Sequence, residues 1–303
     1  MRRIFLLLAA LLVAGCTASD PAAPELSAVD TAPVGAQAAA LPAVEIEAPP
    51  VARRAYSAIV VDVNSGKILH EDQASALRYP ASLTKMMTLY LLFEQLEKGR
   101  LTTRTPLAVS EEAASRPPAK IGVKAGTAIT VDTAIRALAV RSANDVAVVI
   151  AENLAGSEEA YAAAMTAKAR AIGMSKTQFV NASGLPDPRQ VTTAQDMALL
   201  GRALSTRFPR YFAYFSTPEF SYGGRKWKNT NKLLGDVDGV NGIKTGYIRD
   251  SGFNLVVSVE RGGRHLIAVV IGGRSGTARN LKMEELIETY MPQASGGGLF
   301  SVF

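Results

Sequence analysis

The stretch Tyr79-Pro80-Ala81-Ser82-Leu83-Thr84-Lys85-Met86-Met87-Thr88-Leu89-Tyr90-Leu91-Leu92-Phe93 joins a polar first turn to an apolar body. Pro80 keeps the residue before it out of helical dihedrals, and Ser or Thr is favoured where a helix begins. A helix is therefore expected from about Ser82 to Gly99. Met86 to Phe93 is apolar nearly all round, so this helix belongs in a core rather than on a surface. Its first turn nevertheless carries a hydroxyl and an amine. Ser82 and Lys85 are three apart and share one helical face, within reach of each other. A serine alcohol becomes a nucleophile when a neighbouring base takes its proton. A lysine in an apolar wall serves as that base, because desolvation disfavours its charged form. Taken alone, the same residues also describe a capping serine followed by a solvated lysine.

Working outward, the 303 residues suffice for one large domain or two small ones. An apolar fraction of 48 % against 20 % charged residues predicts a globular body with a real core. The formal charge of +6 suits anionic surroundings such as a wall polymer or a membrane surface. No Lys/Arg run is interleaved with aromatics, so nucleic acid is not an expected partner.

Residues 1–16 read as a lipoprotein-type export signal. Arg2 and Arg3 precede an apolar run from Ile4 to Ala14, too short to span a bilayer. The run ends Val13-Ala14-Gly15-Cys16, which resembles a bacterial lipobox, and Cys16 is the only cysteine. The alternative is an ordinary signal cut after Ala18. The expectation is lipidation at Cys16 and a protein held at a membrane by that lipid. Thr17, rather than aspartate, follows the cysteine and points to the outer membrane. Residues 17–52 are rich in Ala and Pro and read as a linker with an r.m.s. span on the order of 30–40 Å. Residues 53–291 are the expected catalytic domain and 292–303 a tail.

Within the domain, Ser57–Val63 and Lys67–His70 form an expected hairpin across Asn64-Ser65-Gly66. Helices are expected from Thr130 to about Val140, after Asp145 to about Leu154, over Glu158–Ile172 and over Thr193–Leu204, with Thr193 as a cap. After Pro218 the pattern turns to strands: Phe220–Tyr222, Gly242–Lys244, Phe253–Val259 and Leu266–Ile271. Asn280–Tyr290 is a closing helix. Strands at both ends with helices between predict a mixed α/β (α+β) fold. Its antiparallel sheet comes from the terminal strands, helices flank that sheet, and a helical lobe is inserted between them. A cleft is expected at the junction.

Three motifs occur in order: Ser82-Leu83-Thr84-Lys85, Ser142-Ala143-Asn144 and Lys244-Thr245-Gly246. Each falls at a place with suitable local grammar: a helix start, a helix junction and a strand edge. With these, the chain resembles the penicillin-recognising serine enzymes, and more narrowly the low-molecular-weight D-alanyl-D-alanine carboxypeptidases. Asn229-Thr230-Asn231-Lys232-Leu233-Leu234, Gly239 to Gly246 and Gly272-Gly273-Arg274 support the resemblance, which covers roughly Ala55 to Tyr290.

The resemblance implies a β-lactamase/DD-peptidase-like fold. It implies trimming of peptidoglycan stem peptides ending in D-Ala-D-Ala through an acyl-enzyme on Ser82, with β-lactams as covalent inhibitors. Lys85 would accept the Ser82 proton, and Ser142 would relay it to the leaving amine. Asn144 would orient Lys85 and bind the substrate amide. The backbone N–H groups of Ser82 and Tyr247 match the family's oxyanion hole, and Gly246 belongs to the same motif. Lys244 and Thr245 would hold the terminal carboxylate, assisted by Arg279. Lys244 is also expected to depress the Lys85 pKa. The site is expected in the periplasm.

Two positions depart from the family pattern: Tyr247 stands where many relatives have histidine, and Ser183-Gly184-Leu185 replaces a loop that often reads His-Gly-Leu. His70 and His265 are read as sheet residues. With no spaced ligand pair, neither metal nor cofactor is called for. A Ser-His-Asp triad lacks its G-x-S-x-G elbow. A DD-endopeptidase on the same residues, a β-lactamase and a non-catalytic wall-binding lipoprotein are the competing functions.

Overall fold

The computed structural model describes residues 51–296. The signal segment, Cys16, most of the linker and the end of the tail lie outside the described residues.

Chain order begins with β1 (Ser57–Asp62) and β2 (Ile68–Asp72), the expected hairpin. A single 3-10 turn, Ala81–Thr84, leads into α1 (Lys85–Glu97). The helical lobe follows: β3 (Pro106–Ala108), α2 (Glu111–Ser115), β4 (Ala128–Thr130), α3 (Val131–Arg136), α4 (Asn144–Ala155), α5 (Glu158–Ala171), α6 (Ala194–Arg207) and α7 (Pro209–Phe212). The chain returns through the hairpin β5 (Glu219–Tyr222) and β6 (Arg225–Lys228). Then come β7 (Val240–Ile248), β8 (Gly252–Arg261), β9 (Arg264–Gly273) and α8 (Gly276–Tyr290). Thr193 caps α6 as expected, its hydroxyl accepting from Asp196 N at 3.0 Å. α8 begins four residues before the expected Asn280, because Ser275 caps it by accepting from Ala278 N at 3.0 Å.

The main sheet is antiparallel, in the order β2-β1-β9-β8-β7. The first strand thus pairs with the last, placing both ends of the domain in one sheet, as expected. Both faces are covered. Ala58, Val60, Val257, Ala268 and Val270 point to the α8 side, where Met283, Leu286 and Ile287 meet them. Ile59, Val256, Ile267, Val269 and Ile271 point to the lobe, against α1 and α6. Two buried faces explain why β8 and β9 read as continuous apolar runs rather than alternating ones. His70 stacks on Tyr290, and His265 bonds Ser258 Oγ at 2.8 Å, so both are sheet residues.

α1 is the axis between the two halves. Every residue from Met86 to Phe93 is buried, matching its apolar circumference. Each large apolar side chain taken out of water there contributes about 1.5–3 kcal/mol. The buried carboxylate on this helix, Glu94, meets Lys168 of α5 and Arg207 of α6, each at 2.9 Å. It ties three helices together and fixes where the first turn of α1 points.

Candidate active site

The 3-10 turn before α1 differs from the expected capped helix start. Neither Pro80 nor Thr84 caps by its side chain, and Ser82 stands inside the turn. Its hydroxyl is therefore not spent on backbone N–H groups. Lys85, the first residue of α1, is wholly buried. Its Nζ lies 3.2 Å from Ser82 Oγ and 2.8 Å from Asn144 Oδ1, and it also donates to the Ser183 carbonyl. A neutral amine has two N–H donors and one lone pair. Two carbonyl-type oxygens and one hydroxyl satisfy that set when Ser82 donates.

The second motif sits where α3 widens into a π-helical turn, Ala137–Arg141, that Ser142 ends in left-handed conformation at φ 63°. A non-glycine residue held there marks local strain that the surroundings must enforce. The Ser142 hydroxyl is buried without a hydrogen-bond partner among the described residues, at the wall of the cleft. Asn144 opens α4, its N–H bonding the Ala119 carbonyl at 2.6 Å and its Nδ2 the Pro117 carbonyl at 3.2 Å. Buried Asp145 accepts from the amides of Ile121, Gly122 and Val123, closest at 2.8 Å to Gly122. Glu158 accepts from Ala182 N at 2.9 Å and from Arg116 at 2.6 Å, which steadies the loop carrying the Ser183 carbonyl.

The third motif lies on β7, which runs beside the 3-10 turn. A Cβ on Gly246 would stand 3.1 Å from Pro80 O, 3.2 Å from Ser82 N and 3.3 Å from Leu83 N, so only glycine lets the strand approach this closely. Gly184, at φ 84°, presses on the turn from the other side; a Cβ there would lie 2.0 Å from Ala81 O. Asn254 of β8 completes the clamp. Its Nδ2 donates to Tyr79 O and Pro80 O at 3.2 Å, and its Oδ1 accepts from Gly272 N at 3.0 Å.

Ser82, Ser142, Asn144, Thr245, Gly246, Tyr247 and Arg279 line a single cleft of about 400 Å³ at the junction of lobe and sheet. Lys244 is placed differently: it lies buried beneath the wall, its Nζ donating to the Thr245 carbonyl at 2.9 Å. Thr245 Oγ1 bonds Thr230 Oγ1 at 2.8 Å. Arg279 is fixed by Asn254 O at 2.7 Å and Asn280 Oδ1 at 2.9 Å. Tyr247 is half exposed and packs on Phe253, with ring centroids 4.4 Å apart.

Burial is the largest cause that pushes the Lys85 pKa well down, and Lys244 adds to it. The carboxylates of Glu158 and Asp145 pull weakly the other way. The expectation that Lys244 depresses Lys85 holds in sign, but burial leads. Lys244 itself is brought down to about 7, first by burial and then by Arg279. Burial lowers Arg279 to about 10. Among the described residues, no group of three His, Asp or Glu side chains could hold a metal ion.

Sequence reasoning missed Asp145, Glu158, Asn254 and the Ser183 carbonyl. None has a motif of its own, and a backbone carbonyl carries no sequence signal at all. The buried acids Asp145 and Glu158, flanking apolar helices, were the available hint.

Residues 43–275 match the family model described as D-alanyl-D-alanine carboxypeptidase. The D-alanyl-D-alanine carboxypeptidase DacA of Escherichia coli strain K12 is 36 % identical over 240 residues, covering 77 % of this chain and 60 % of that protein. The chain thus spans under two thirds of the length of such curated relatives. Penicillin binding protein 5 from Haemophilus influenzae superposes with a TM-score of 0.76 at 30 % identity, covering 80 % of this chain and 72 % of that one. Penicillin-Binding Protein D2 from Listeria monocytogenes, in its ampicillin-bound form, gives 0.67 at 30 % identity, covering 79 % and 98 %.

Proposed function

Given that the chain belongs to the D-alanyl-D-alanine carboxypeptidase family, we propose that it is a serine-type DD-carboxypeptidase. It removes the terminal D-alanine from peptidoglycan stem peptides and is acylated by β-lactams at Ser82. One observation carries this reading: a wholly buried lysine, depressed in pKa, 3.2 Å from the hydroxyl of a serine that opens onto a cleft with a guanidinium on its wall.

The substrate carboxylate meets the Arg279 guanidinium and the Thr245 hydroxyl, both on the cleft wall. A carboxylate accepts paired N–H donors from a guanidinium well. Lys244 acts from below, its Nζ holding the Thr245 carbonyl at 2.9 Å rather than meeting the carboxylate directly. Ser82 Oγ attacks the scissile carbonyl carbon as its proton passes to neutral Lys85. The developing oxyanion takes N–H donors from Ser82 and Tyr247, and such a pair typically supplies several kcal/mol. Collapse breaks the C–N bond, and the unpartnered Ser142 hydroxyl relays the proton from Lys85 to the departing amine. Water then attacks the ester, Lys85 takes its proton, and Ser82 regains its hydrogen as the shortened peptide leaves.

The cellular setting belongs to the same proposal. The protein is exported to the periplasm, and lipid at Cys16 holds the catalytic body on a linker. Intact-mass measurement of the mature N-terminus checks the anchor, and an unmodified chain starting at Ser19 refutes the lipid while leaving export standing. The activity is tested by incubating the purified protein with a D-Ala-D-Ala peptide and assaying free D-alanine, alongside fluorescent-penicillin labelling of wild type and S82A. Release and labelling in the wild type alone support the reading; neither in the wild type defeats it. Muropeptide analysis separates terminal trimming from cross-link cleavage.

A further inference from the structure

Arg141 has no part in the reaction described above, yet it lines the same cleft, immediately before Ser142. Its guanidinium forms no hydrogen bond or ion pair with any described residue, and its Nε is buried without a partner. This contrasts with the other arginine of the cleft. Arg279 is held at two nitrogens by Asn254 O and Asn280 Oδ1. Arg116, two residues before Pro118 of the cleft wall, also has a buried Nε without a partner, but its Nη2 is paired with Glu112 at 2.8 Å and Glu158 at 2.6 Å, whereas no nitrogen of Arg141 is paired among the described residues. Among the described residues, no Asp or Glu side chain lines the cleft. A guanidinium cannot shed its charge, so leaving its buried Nε without a partner is costly unless a ligand supplies the acceptor. The adjacent Ser142 Oγ is likewise buried and unpartnered, in a residue only 8 % exposed. The π-helical turn Ala137–Arg141 and the left-handed Ser142 fix the backbone that carries both side chains.

We infer that Arg141 forms a second anion subsite of the cleft, which takes a free carboxylate on the acyl portion of the substrate. The inference rests on the DD-carboxypeptidase reading. The portion assignment follows from the chemistry of the reaction. The leaving D-alanine carries one carboxylate, and Arg279 with Thr245 accounts for it. Any second carboxylate must then belong to the part that stays on Ser82. The substrate class is a D-Ala-D-Ala peptide with an unamidated acidic group shortly before the two D-alanines. A planar guanidinium binds such a group through two parallel N–H···O bonds, which an amide in its place cannot reproduce. Arg141 is a specificity residue here.

Two peptides decide it. Both are Nα-acetylated and end in D-Ala-D-Ala. One carries a diamino diacid with a free carboxylate as the residue before them; in the other that carboxylate is amidated. Wild type is expected to favour the acid over the amide about 10-fold in kcat/KM, expressed mainly as a lower KM. In R141Q the ratio falls towards 1, and R141K restores part of it. A readout independent of turnover is protection of Ser82 from fluorescent penicillin. The acid should protect wild type at about 10-fold lower concentration than the amide, and R141Q should show no such difference. An acid-to-amide ratio near 1 in wild type, or a ratio unchanged in R141Q, overturns the subsite. If wild type releases D-alanine from neither peptide, the carboxypeptidase reading fails, and the protection ratio still decides Arg141.

Discussion

Replacing Gly246 by alanine tests whether the approach of β7 to the Ser82 turn builds the oxyanion site. Gly246 has ordinary strand dihedrals, so alanine is sterically allowed by its own backbone. The added Cβ would stand 3.1 Å from Pro80 O, 3.2 Å from Ser82 N and 3.3 Å from Leu83 N. Those atoms are backbone, so strand and turn must part by a few tenths of an ångström. Alanine removes unfolded-state freedom worth about 0.4–1 kcal/mol, and the wedge costs about 1 kcal/mol or somewhat more. The two nearly cancel, so the midpoint of thermal unfolding should move by no more than about 4 °C. Catalysis has no such compensation. Losing an oxyanion donor outright costs about 10²–10³ in rate, and partial displacement of one should cost about 10–100-fold. The assay is the second-order rate of Ser82 acylation by fluorescent penicillin, with thermal denaturation in parallel. Acylation within two-fold of wild type would refute the role of this approach. A fall in the midpoint beyond about 10 °C would show instead that the wedge unfolds the domain.

Gly184→Ala differs in kind: its Cβ would lie 2.0 Å from Ala81 O at φ 84°, so stability should fall by about 3 kcal/mol or more and acylation should vanish, as read by denaturation and labelling. Lys244→Met removes the lesser of the two causes that lower Lys85, so the Lys85 pKa rises and the acidic limb of the acylation–pH profile moves up, by about one unit or less because burial remains; an unmoved limb assigns the whole shift to burial. The same variant alters stability. The unfolded chain keeps a proton on Lys244 to an ordinary lysine pKa of 10.5, whereas the folded chain loses it near 7, so unfolding takes up a proton between those values and wild-type stability rises with pH there. K244M should lose that part of the slope in pH-dependent urea titrations, and an unchanged slope would contradict a depressed Lys244. Glu94→Ala strips Lys168 and Arg207 of their shared carboxylate and should cost about 3 kcal/mol, lowering the midpoint by about 6–12 °C; a change under about 1 kcal/mol would mean the pair is solvated rather than structural.

Ser82 and Lys85 were legible because helical spacing fixes which residues share a face, whatever the rest of the chain does. The paired strands β8 and β9 and the buried α1 were legible for a similar reason, since their apolar patterns are local. The start of α1 was not. Its 3-10 turn, with Ser82 inside rather than capping, is imposed by Gly184, Gly246 and Asn254 pressing in from three distant segments. The extent of β7 was likewise underestimated as Gly242–Lys244. It runs from Val240 to Ile248 because β8 offers a complementary edge along its length, and glycine and lysine score poorly as strand formers by themselves.

The sequence by itself determined the groups available: two serines, two lysines and an arginine, carried on elements whose patterns are local. Tertiary structure decided what surrounds each. The Lys85 pKa is pushed down chiefly by burial, and it meets Asn144 Oδ1 and the Ser183 carbonyl only because segments 59 and 98 residues away converge on it. Lys244 lies under the wall while Arg279 and Arg141 line it, a division that no spacing announces. Charge and nucleophilicity depend on how much water and which dipoles surround a group, and those surroundings exist only once the chain has folded.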